Sequence, residues 1–97
     1  MLNLTKTNLY KKELKLMIKR GKDAQKIFNV INLLQHNASN GIEPHLLLPV
    51  KYKLHKISGQ YSGYWECHIE PDWLLLYYLD NESLRLERTG THSDIFK

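Results

Sequence analysis

The chain has 97 residues, 42% of them hydrophobic, a single cysteine and a formal net charge of +4 at pH 7. This length predicts one domain over residues 1–97, the hydrophobic content excludes a disordered chain, and a single cysteine excludes an intrachain disulfide. The longest apolar run, "WLLLYYL", is too short to span a bilayer, and the polar N-terminus shows no signal peptide, so we expect a cytoplasmic protein without a membrane partner.

Positive charge is concentrated in the first third of the chain. Residues 1–35 hold eight basic and two acidic side chains, a balance of +6, whereas residues 36–97 hold six basic and eight acidic ones, a balance of −2. A basic segment suits a protein that binds a polyanion such as RNA. A solvated, lysine-rich helix face is the alternative, and charge alone leaves both open.

The N-terminal segment is predicted to form a short strand and a helical hairpin. "LNL" is the candidate strand, and "TNLYKKELKLMIKRG" has apolar residues at helical spacing between a Thr7 cap and a Gly21 end. "DAQKIFNVINLLQHN" repeats the pattern behind an Asp23 cap. The apolar positions are Tyr10, Leu14, Met17 and Ile18 in the first helix and Ile27, Val30, Ile31 and Leu34 in the second, with Phe28 beside them. About two residues join the helices, which predicts antiparallel packing.

The C-terminal segment is predicted to form a sheet. After a loop over residues 37–50, "YSGYWECHIE" alternates between two faces, "DWLLLYYL" is apolar on both faces as in a central strand, and "LRLERTG" is the last strand. These three strands predict an antiparallel meander and the chain an α+β fold. Strict alternation places Arg88 on the Leu84 and Leu86 face, where a charge is unfavourable unless the core has ended or a bulge intervenes.

Several kinds of site find little support. Cys67 and His68 are adjacent on a strand and point to opposite faces, so they cannot share a zinc ion, and His45 and His55 lack ligand spacing. Cys67 has apolar neighbours on its own face and is more typical of a core residue than of a nucleophile. No Gly-x-Ser-x-Gly and no phosphate-binding loop occur. We therefore predict no metal and no cofactor.

General acid–base chemistry finds more support. Cleavage of RNA needs a base near the ribose 2′-OH, an acid for the 5′-oxygen and a cation for the phosphorane charge. Asp72 begins a strand and His92 follows Arg88 by four residues, so the three could meet at one end of the sheet. Surface histidines near a salt bridge are the alternative. The candidates are His55, His68, Asp72, Arg88 and His92.

The motifs "HIEPDWLLLYYL" and "RLERTGTHSDIF" resemble the YafQ branch of the RelE-type bacterial toxins. "KYKLHKISGQYSGYWECH" resembles the preceding segment of that family, in which a tyrosine and a histidine come before a glycine-containing turn. The resemblance covers residues 51–97, and the N-terminal half matches in pattern only. Leu54 and Lys56 stand where the family often has aspartate and proline, and the 37–50 loop is longer than usual.

This resemblance implies a type II toxin that cleaves mRNA on the translating ribosome without a metal, leaving a 2′,3′-cyclic phosphate. It implies neutralisation by an acidic antitoxin encoded beside it. Arg88 would stabilise phosphate charge, Asp72 and His92 would transfer protons, and His55 and His68 would position RNA or share in proton transfer. Lys56, Trp73 and Phe96 are expected to contact the substrate, although packing behind Asp72 is the favoured alternative for Trp73. Ribosome docking is assigned to Lys11, Lys12, Lys15, Lys19, Arg20, Lys22 and Lys26.

Two glutamates near the motif, Glu66 and Glu70, are expected to be solvated. Other functions remain open. A ParE-like toxin of the same fold would bind DNA gyrase and would not need the histidine, aspartate and arginine set. A non-catalytic RNA- or protein-binding module would keep the basic helices, and a metal-dependent nuclease would be sensitive to chelators.

Overall fold

The computed structural model describes residues 3–39, 55–56, 63–80 and 82–96. The strands are β1 (Asn3–Lys6), β2 (His55–Lys56), β3 (Trp65–Glu70), β4 (Trp73–Leu79) and β5 (Ser83–Gly90), and the helices are α1 (Asn8–Lys19), α2 (Ala24–Ser39) and α3 (His92–Ile95). This order confirms the predicted α+β fold. Residues 37–39 of the predicted 37–50 loop belong to α2, and the rest of that loop lies outside the described residues. Among those described, no helix has the length and apolar content needed to cross a bilayer.

The strands form one sheet in the order β1-β5-β4-β3-β2. The predicted meander of β3, β4 and β5 is antiparallel throughout, as expected. Two additions were not predicted: β1 pairs in parallel with β5, and β2 pairs antiparallel with the outer edge of β3. Both additions leave β4 in the middle of the sheet, which is why its sequence is apolar on both faces.

The core lies mainly between the sheet and the helices α1 and α2. One cluster joins the apolar stripes of both helices to one face of β3, β4 and β5, and it includes Tyr10, Met17, Ile27, Val30, Leu34, Cys67, Trp73, Leu75, Tyr77, Leu84 and Leu86. A smaller cluster on the other face of β4 joins Leu74 and Leu76 to Ile95 of α3. Ile18 and Phe28, at the edges of the predicted stripes, stay exposed.

The start of α1 is attached to β5 by the predicted cap. Oγ1 of Thr7 accepts a hydrogen bond from the backbone N–H of Tyr10 at 2.9 Å and donates one to the carbonyl oxygen of Glu87 at 2.7 Å. Gly21 follows the helix with a φ of 96°, a conformation that glycine adopts without strain. The capped helix therefore begins at a defined position along β5.

A register shift in β5 explains why Arg88 is not on the core face, where strict alternation would place it. Tyr77 pairs with Leu86 and Leu76 pairs with Arg88, so Glu87 has no partner residue on β4. An extra residue of this kind is a β-bulge, which ends strict alternation and re-aims the side chains that follow. Arg88 is thereby placed opposite Leu76 and does not continue the core face of Leu84 and Leu86.

Candidate active site

Asp72 and His92 form a pair at one end of the sheet. Asp72 lies in the turn between β3 and β4, and its Oδ1 accepts a hydrogen bond from the backbone N–H of His92 at 3.0 Å and lies 3.1 Å from the Nδ1 of the same residue. The backbone bond first, then the side-chain bond, hold the pKa of Asp72 below its ordinary value of 3.8. An ionised carboxylate accepts only, so Nδ1 carries the hydrogen and Nε2 points away from Asp72.

His68 and Glu66 form a second pair beside the first. Nδ1 of His68 lies 3.2 Å from the carbonyl oxygen of Pro71, and its Nε2 lies 3.3 Å from Oε1 of Glu66. The Glu66 side chain is only 5% exposed, so the expectation that it is solvated is wrong. Glu66 pairs with His55 on one side and Leu76 on the other, and strands on both sides leave little room for water.

The two pairs meet through their rings. The ring centroids of His68 and His92 are 5.6 Å apart, with planes tilted by 54°. The ring of Phe96 lies 6.3 Å beyond His92 and is 41% exposed. Three of the predicted residues, His68, Asp72 and His92, are thus brought together, and Phe96 lies within reach of a ligand on them.

Arg88 is held at the same end by contacts with two helices. Its Nε and Nη2 donate to the two carboxylate oxygens of Glu13 on α1, at 3.2 and 2.6 Å. Nη2 also donates to the carbonyl oxygen of Asp94 in α3 at 3.3 Å. A two-point contact fixes the plane of a guanidinium group, so Glu13 sets the orientation of Arg88.

The short helix α3 that carries His92 depends on its neighbours, because four residues do not form a stable helix alone. Thr91 and Asp94 form a reciprocal capping box at its start. Nη1 of Arg20 donates to Oδ2 of Asp94 at 2.8 Å, and this contact is the main reason that the pKa of Asp94 lies well below its usual range. Helix α1 therefore positions α3 as well as Arg88.

The packing of Trp73 favours the alternative to substrate contact. Its side chain is fully buried, and Nε1 donates to Oγ1 of Thr89 at 2.8 Å, which in turn donates to the carbonyl oxygen of Leu74 at 2.7 Å. An indole needs such a partner when it is buried. This placement matches the packing alternative, in which Trp73 anchors the start of β4 directly after Asp72, and leaves no exposed ring surface for a substrate.

Two predicted residues lie on β2. The backbone of His55 pairs with that of Glu66, but the side chain of His55 lies outside the described part of the chain. Nζ of Lys56 lies 5.5 Å from the ring centroid of Trp65. The roles given to His55 and Lys56 therefore remain predictions.

Cys67 is confirmed as a core residue. It is fully buried, and burial raises the pKa of its thiol to about 12. A thiol in this state is not a nucleophile at neutral pH.

The basic residues of the helices divide into two groups. Lys11, Lys12, Lys15 and Lys19 are exposed along α1. Lys22 and Lys26 both contact Glu70, at 2.6 and 2.7 Å, and Arg20 is bound to Asp94. The expectation that Glu70 is merely solvated is incomplete, because the two lysines lower its pKa, Lys22 most. The charge available to a polyanion is therefore concentrated on α1.

Glu66 is the site residue that sequence reasoning missed. Strand alternation places Glu66 on the same face as His68, and this was the only sign in the sequence that it belongs to the site. Its burial could not be predicted, because the pairing of β2 with β3 was not predicted. Ligand atoms of Glu66, His68 and His92 lie within 4.8 Å of one another, so these side chains could hold a metal ion.

Comparisons with known proteins identify the family of this chain. The family described as "Bacterial toxin of type II toxin-antitoxin system, YafQ" matches residues 2–97. The mRNA interferase toxin YafQ of Escherichia coli K12 is 44% identical over 87 residues, which cover 90% of this chain and 87% of that protein. The toxin chain in the crystal structure of the E. coli DinJ-YafQ complex is 37% identical, with a TM-score of 0.86 and full coverage of both chains. A metal-bound toxin from Helicobacter pylori is 32% identical, with a TM-score of 0.81, covering 99% of this chain and all of that one.

Proposed function

Because the chain belongs to the YafQ family of bacterial type II toxin–antitoxin toxins, we propose that it is a ribosome-dependent endoribonuclease that cleaves mRNA without a metal ion. The observation that carries this proposal is the pair of carboxylate-bound histidines, Asp72–His92 and Glu66–His68, with ring centroids 5.6 Å apart. The name of the E. coli relative, an mRNA interferase, supports the substrate class.

The chemistry follows from two proton carriers beside one cation. The ribose 2′-OH loses its proton to a base and attacks the adjacent phosphorus, while an acid protonates the departing 5′-oxygen. This leaves a 2′,3′-cyclic phosphate and a 5′-OH. His92 and His68 are the two proton carriers, since imidazole exchanges protons near neutral pH. Asp72 is a positioning residue, because its low pKa keeps it ionised and directs Nε2 of His92 outward.

Charge on the phosphorane requires a positive partner in a fixed place. Arg88 supplies it, and Glu13 and the carbonyl of Asp94 hold the guanidinium before substrate arrives. Preorganised charge of this kind stabilises a transition state without reorganisation during the reaction. Phe96 offers an exposed ring on which a base beside the scissile phosphate can stack.

Ribosome docking is assigned to the exposed lysines of α1. These four side chains, Lys11, Lys12, Lys15 and Lys19, lie on the helix that also holds Arg88 and α3. A surface that binds ribosomal RNA is therefore connected rigidly to the candidate site.

The antitoxin partner is proposed to be an acidic, amphipathic segment. A groove of about 450 Å³ lies between β1, α1 and α2, with an apolar floor and a basic rim. The floor includes Leu4, Ile18 and Phe28, and the rim includes Lys6, Lys11 and Lys15. Apolar and acidic side chains on one helix would match both features. Phe28→Asp should weaken the complex and leave cleavage unchanged. Gln25→Asp, on the same helix outside the groove lining, should change neither affinity nor cleavage. Unchanged affinity of Phe28→Asp would place the antitoxin elsewhere.

The decisive test of the activity is cleavage of a defined mRNA on programmed ribosomes with EDTA present. We expect cleavage by the wild type and cleavage slowed about 10²- to 10⁴-fold by His92→Ala, with Ser93→Ala as the neighbouring control. EDTA is essential because the H. pylori relative is described as metal-bound. Failure of the folded wild type to cut would favour a non-catalytic binding module, and cutting only without EDTA would indicate a metal-dependent nuclease.

A further inference from the structure

We propose that residues 20–26, at the connection between α1 and α2, set the geometry of the Asp72–His92 pair. Three cations of this segment bind the two parts of the chain that meet in the pair. Two lysines bind the end of β3, next to the turn that carries Asp72, and one arginine binds α3, which carries His92. The consequence for cleavage rests on the proposed function, whereas the consequence for the geometry of the pair does not.

The first connection, the lysine arm, consists of Lys22, Lys26 and Glu70. Nζ of Lys22 donates to Oε1 of Glu70 at 2.6 Å, and Nζ of Lys26 donates to Oε2 of Glu70 at 2.7 Å. Each carboxylate oxygen therefore has its own cation, and a contact at two points fixes the orientation of the group. Glu70 is the last residue of β3 and lies two positions before Asp72, so the arm attaches the turn to the helices.

The turn depends on such an attachment because the pairing of β3 with β4 is irregular beside it. The register shifts between His68 and Glu70, where β3 carries one extra residue. A bulge of this kind interrupts the regular backbone hydrogen bonds of the two strands. The position of Asp72 is therefore determined less by the sheet and more by the contacts that hold Glu70.

The second connection, the arginine arm, consists of Arg20 and Asp94. Nη1 and Nη2 of Arg20 donate to Oδ2 and Oδ1 of Asp94, at 2.8 and 3.4 Å. Oδ2 of Asp94 also accepts the backbone N–H of Thr91 at 3.0 Å, at the start of α3. His92 follows Thr91 directly, so this arm holds the other partner of the pair.

Both arms extend from a backbone that is itself fixed. The backbone N–H of Gly21 donates to the carbonyl oxygen of Ile18 at 3.0 Å, and that of Lys22 donates to the carbonyl oxygen of Met17 at 3.0 Å. These bonds close the end of α1, and the side chain of Met17 is buried in the core. The two arms are therefore fixed relative to each other, and they converge on the contact between the carboxylate and the imidazole.

Stability of the fold is the alternative purpose of these ion pairs. Exposed ion pairs contribute little to stability, and the side chains of Arg20 and Lys26 are 41% and 53% exposed. We therefore expect the unfolding midpoint to change little when either arm is broken. Reaction geometry is far more sensitive, since a displacement of about 1 Å can slow catalysis about 10²-fold.

The geometry is tested by NMR of the full chain with ¹⁵N-labelled histidine, without RNA and at a pH at which the rings are neutral. The chain has five histidines, and the signals lost in His92→Gln assign the ring of His92. In the wild type, Nδ1 of His92 should carry the hydrogen that Asp72 accepts. Where an arm is broken, part of the population should shift to the Nε2–H tautomer, which an imidazole free in water prefers.

The variants for this measurement break one arm at a time. Glu70→Gln removes the charge of the lysine arm at nearly constant shape, and Arg20→Gln breaks the other arm independently. Glu82→Gln makes the same change at an exposed carboxylate in the turn after β4, so it is the matched control and should keep the wild-type tautomer. An unchanged tautomer in both Glu70→Gln and Arg20→Gln would overturn the proposal.

The consequence for catalysis is tested by single-turnover cleavage at saturating programmed ribosomes. We expect Glu70→Gln to cut about 10- to 100-fold more slowly than the wild type, with ribosome affinity unchanged. Combining it with Arg20→Gln should slow cleavage little further, because both changes act on one contact. Rate effects that multiply would contradict a shared contact.

The two measurements separate this proposal from the proposed function. A shifted tautomer in the variants of a wild type that cuts no mRNA would support the positioning role and remove the proposed function. Wild-type cleavage rates in variants with a shifted tautomer would remove the consequence for catalysis, and the control of the pair by residues 20–26 would stand.

Discussion

The guanidinium of Arg88 on β5 is clamped by the carboxylate of Glu13 on α1, through contacts of 3.2 and 2.6 Å. The two residues are 75 positions apart in the chain, and their side chains are only 16% and 12% exposed. The pair connects the basic helix to the proposed site. It holds the residue assigned to phosphate charge in one orientation before any substrate binds.

This pair should be energetically coupled. In a double-mutant cycle of Glu13→Ala and Arg88→Ala, we expect a coupling free energy of about 1–3 kcal/mol, because each single change leaves a largely buried charge without its partner. The measurement is urea unfolding of the four proteins. The surface pair Arg85–Glu87, at 3.0 Å but with Arg85 52% exposed, is the matched control and should couple by less than about 1 kcal/mol. Equal coupling free energies in the two pairs would show that Glu13 does not hold Arg88 more firmly than an exposed partner would.

His92 should be needed for chemistry and not for folding. We expect His92→Ala to lower the single-turnover rate on programmed ribosomes about 10²- to 10⁴-fold, with ribosome affinity unchanged. Asp72→Asn should lower the rate less, since its amide oxygen still accepts from the His92 backbone while the charge facing the ring is lost. Because the side chains of His92 and Asp72 are exposed, unfolding midpoints should match the wild type. Wild-type rates for Asp72→Asn would remove Asp72 from its positioning role.

Gly90 should tolerate no side chain. A Cβ at this position would lie 3.0 Å from Cβ and 3.1 Å from Oδ2 of Asp94, which closes the capping box of α3. We expect Gly90→Ala to lower the free energy of unfolding by about 1–3 kcal/mol and to slow cleavage as α3 shifts with His92. Urea unfolding and single-turnover cleavage measure the two effects. Ser93→Ala, at an exposed position of the same helix, should change neither, and a fully active Gly90→Ala would show that α3 can move without consequence.

The buried tyrosines should be replaceable by phenylalanine. The hydroxyl oxygens of Tyr10 and Tyr77 have no hydrogen-bond partner among the described residues, and an unpaired buried hydroxyl is unfavourable. We expect Tyr10→Phe and Tyr77→Phe to leave stability unchanged or to raise it by up to about 1 kcal/mol. A decrease in the free energy of unfolding by more than about 1 kcal/mol in either variant would show that the replaced hydroxyl has a hydrogen-bond partner.

The same tyrosines predict sensitivity to alkali. Burial raises the pKa of Tyr10 from 10.0 to about 12 and that of Tyr77 further still. Between pH 10 and the folded-state pKa, the unfolded chain has lost phenolic protons that the folded chain keeps, so stability falls as pH rises, by at most about 1.4 kcal/mol per pH unit for each group. Denaturant unfolding at pH 9 and pH 11 should show that the free energy of unfolding falls less between these two pH values in Tyr10→Phe than in the wild type. Equal losses would contradict a raised pKa at Tyr10.

Ribosome binding should depend on the exposed lysines of α1. Lys11→Gln with Lys15→Gln should weaken binding and make the slope of log affinity against log salt shallower by about one to two, since each removes one phosphate contact. Lys22→Gln with Lys26→Gln carries the same charge change but removes lysines already bound to Glu70, and should have less effect. Binding insensitive to salt, or equal effects of the two variants, would count against docking through α1.

Local sequence pattern was sufficient to predict much of the fold. Helical spacing of apolar residues located α1 and α2, and the caps at Thr7 and Asp23 together with Gly21 marked their ends, because these signals act within one or two turns. The run after Asp72 was apolar on both faces and proved to be the central strand. Asp72, Arg88 and His92 were predicted to meet at one end of the sheet from their places near strand ends. Asp72 contacts His92 there, and Arg88 contacts the short helix that carries His92.

Only the tertiary structure decided which side chains are buried and how Arg88 is oriented, because these features depend on pairing between segments that are distant in the sequence. The extra residue Glu87 in β5 turns Arg88 away from the core face, and alternation within one strand cannot show where a partner strand skips a residue. Glu66 is buried where β2 lies beside it, and Trp73 is buried in the core, where Thr89 accepts its N–H. A sequence determines which faces must be covered, since hydrophobicity is a local property of side chains. Which segment covers each face, and at what register, is settled only when the whole chain packs.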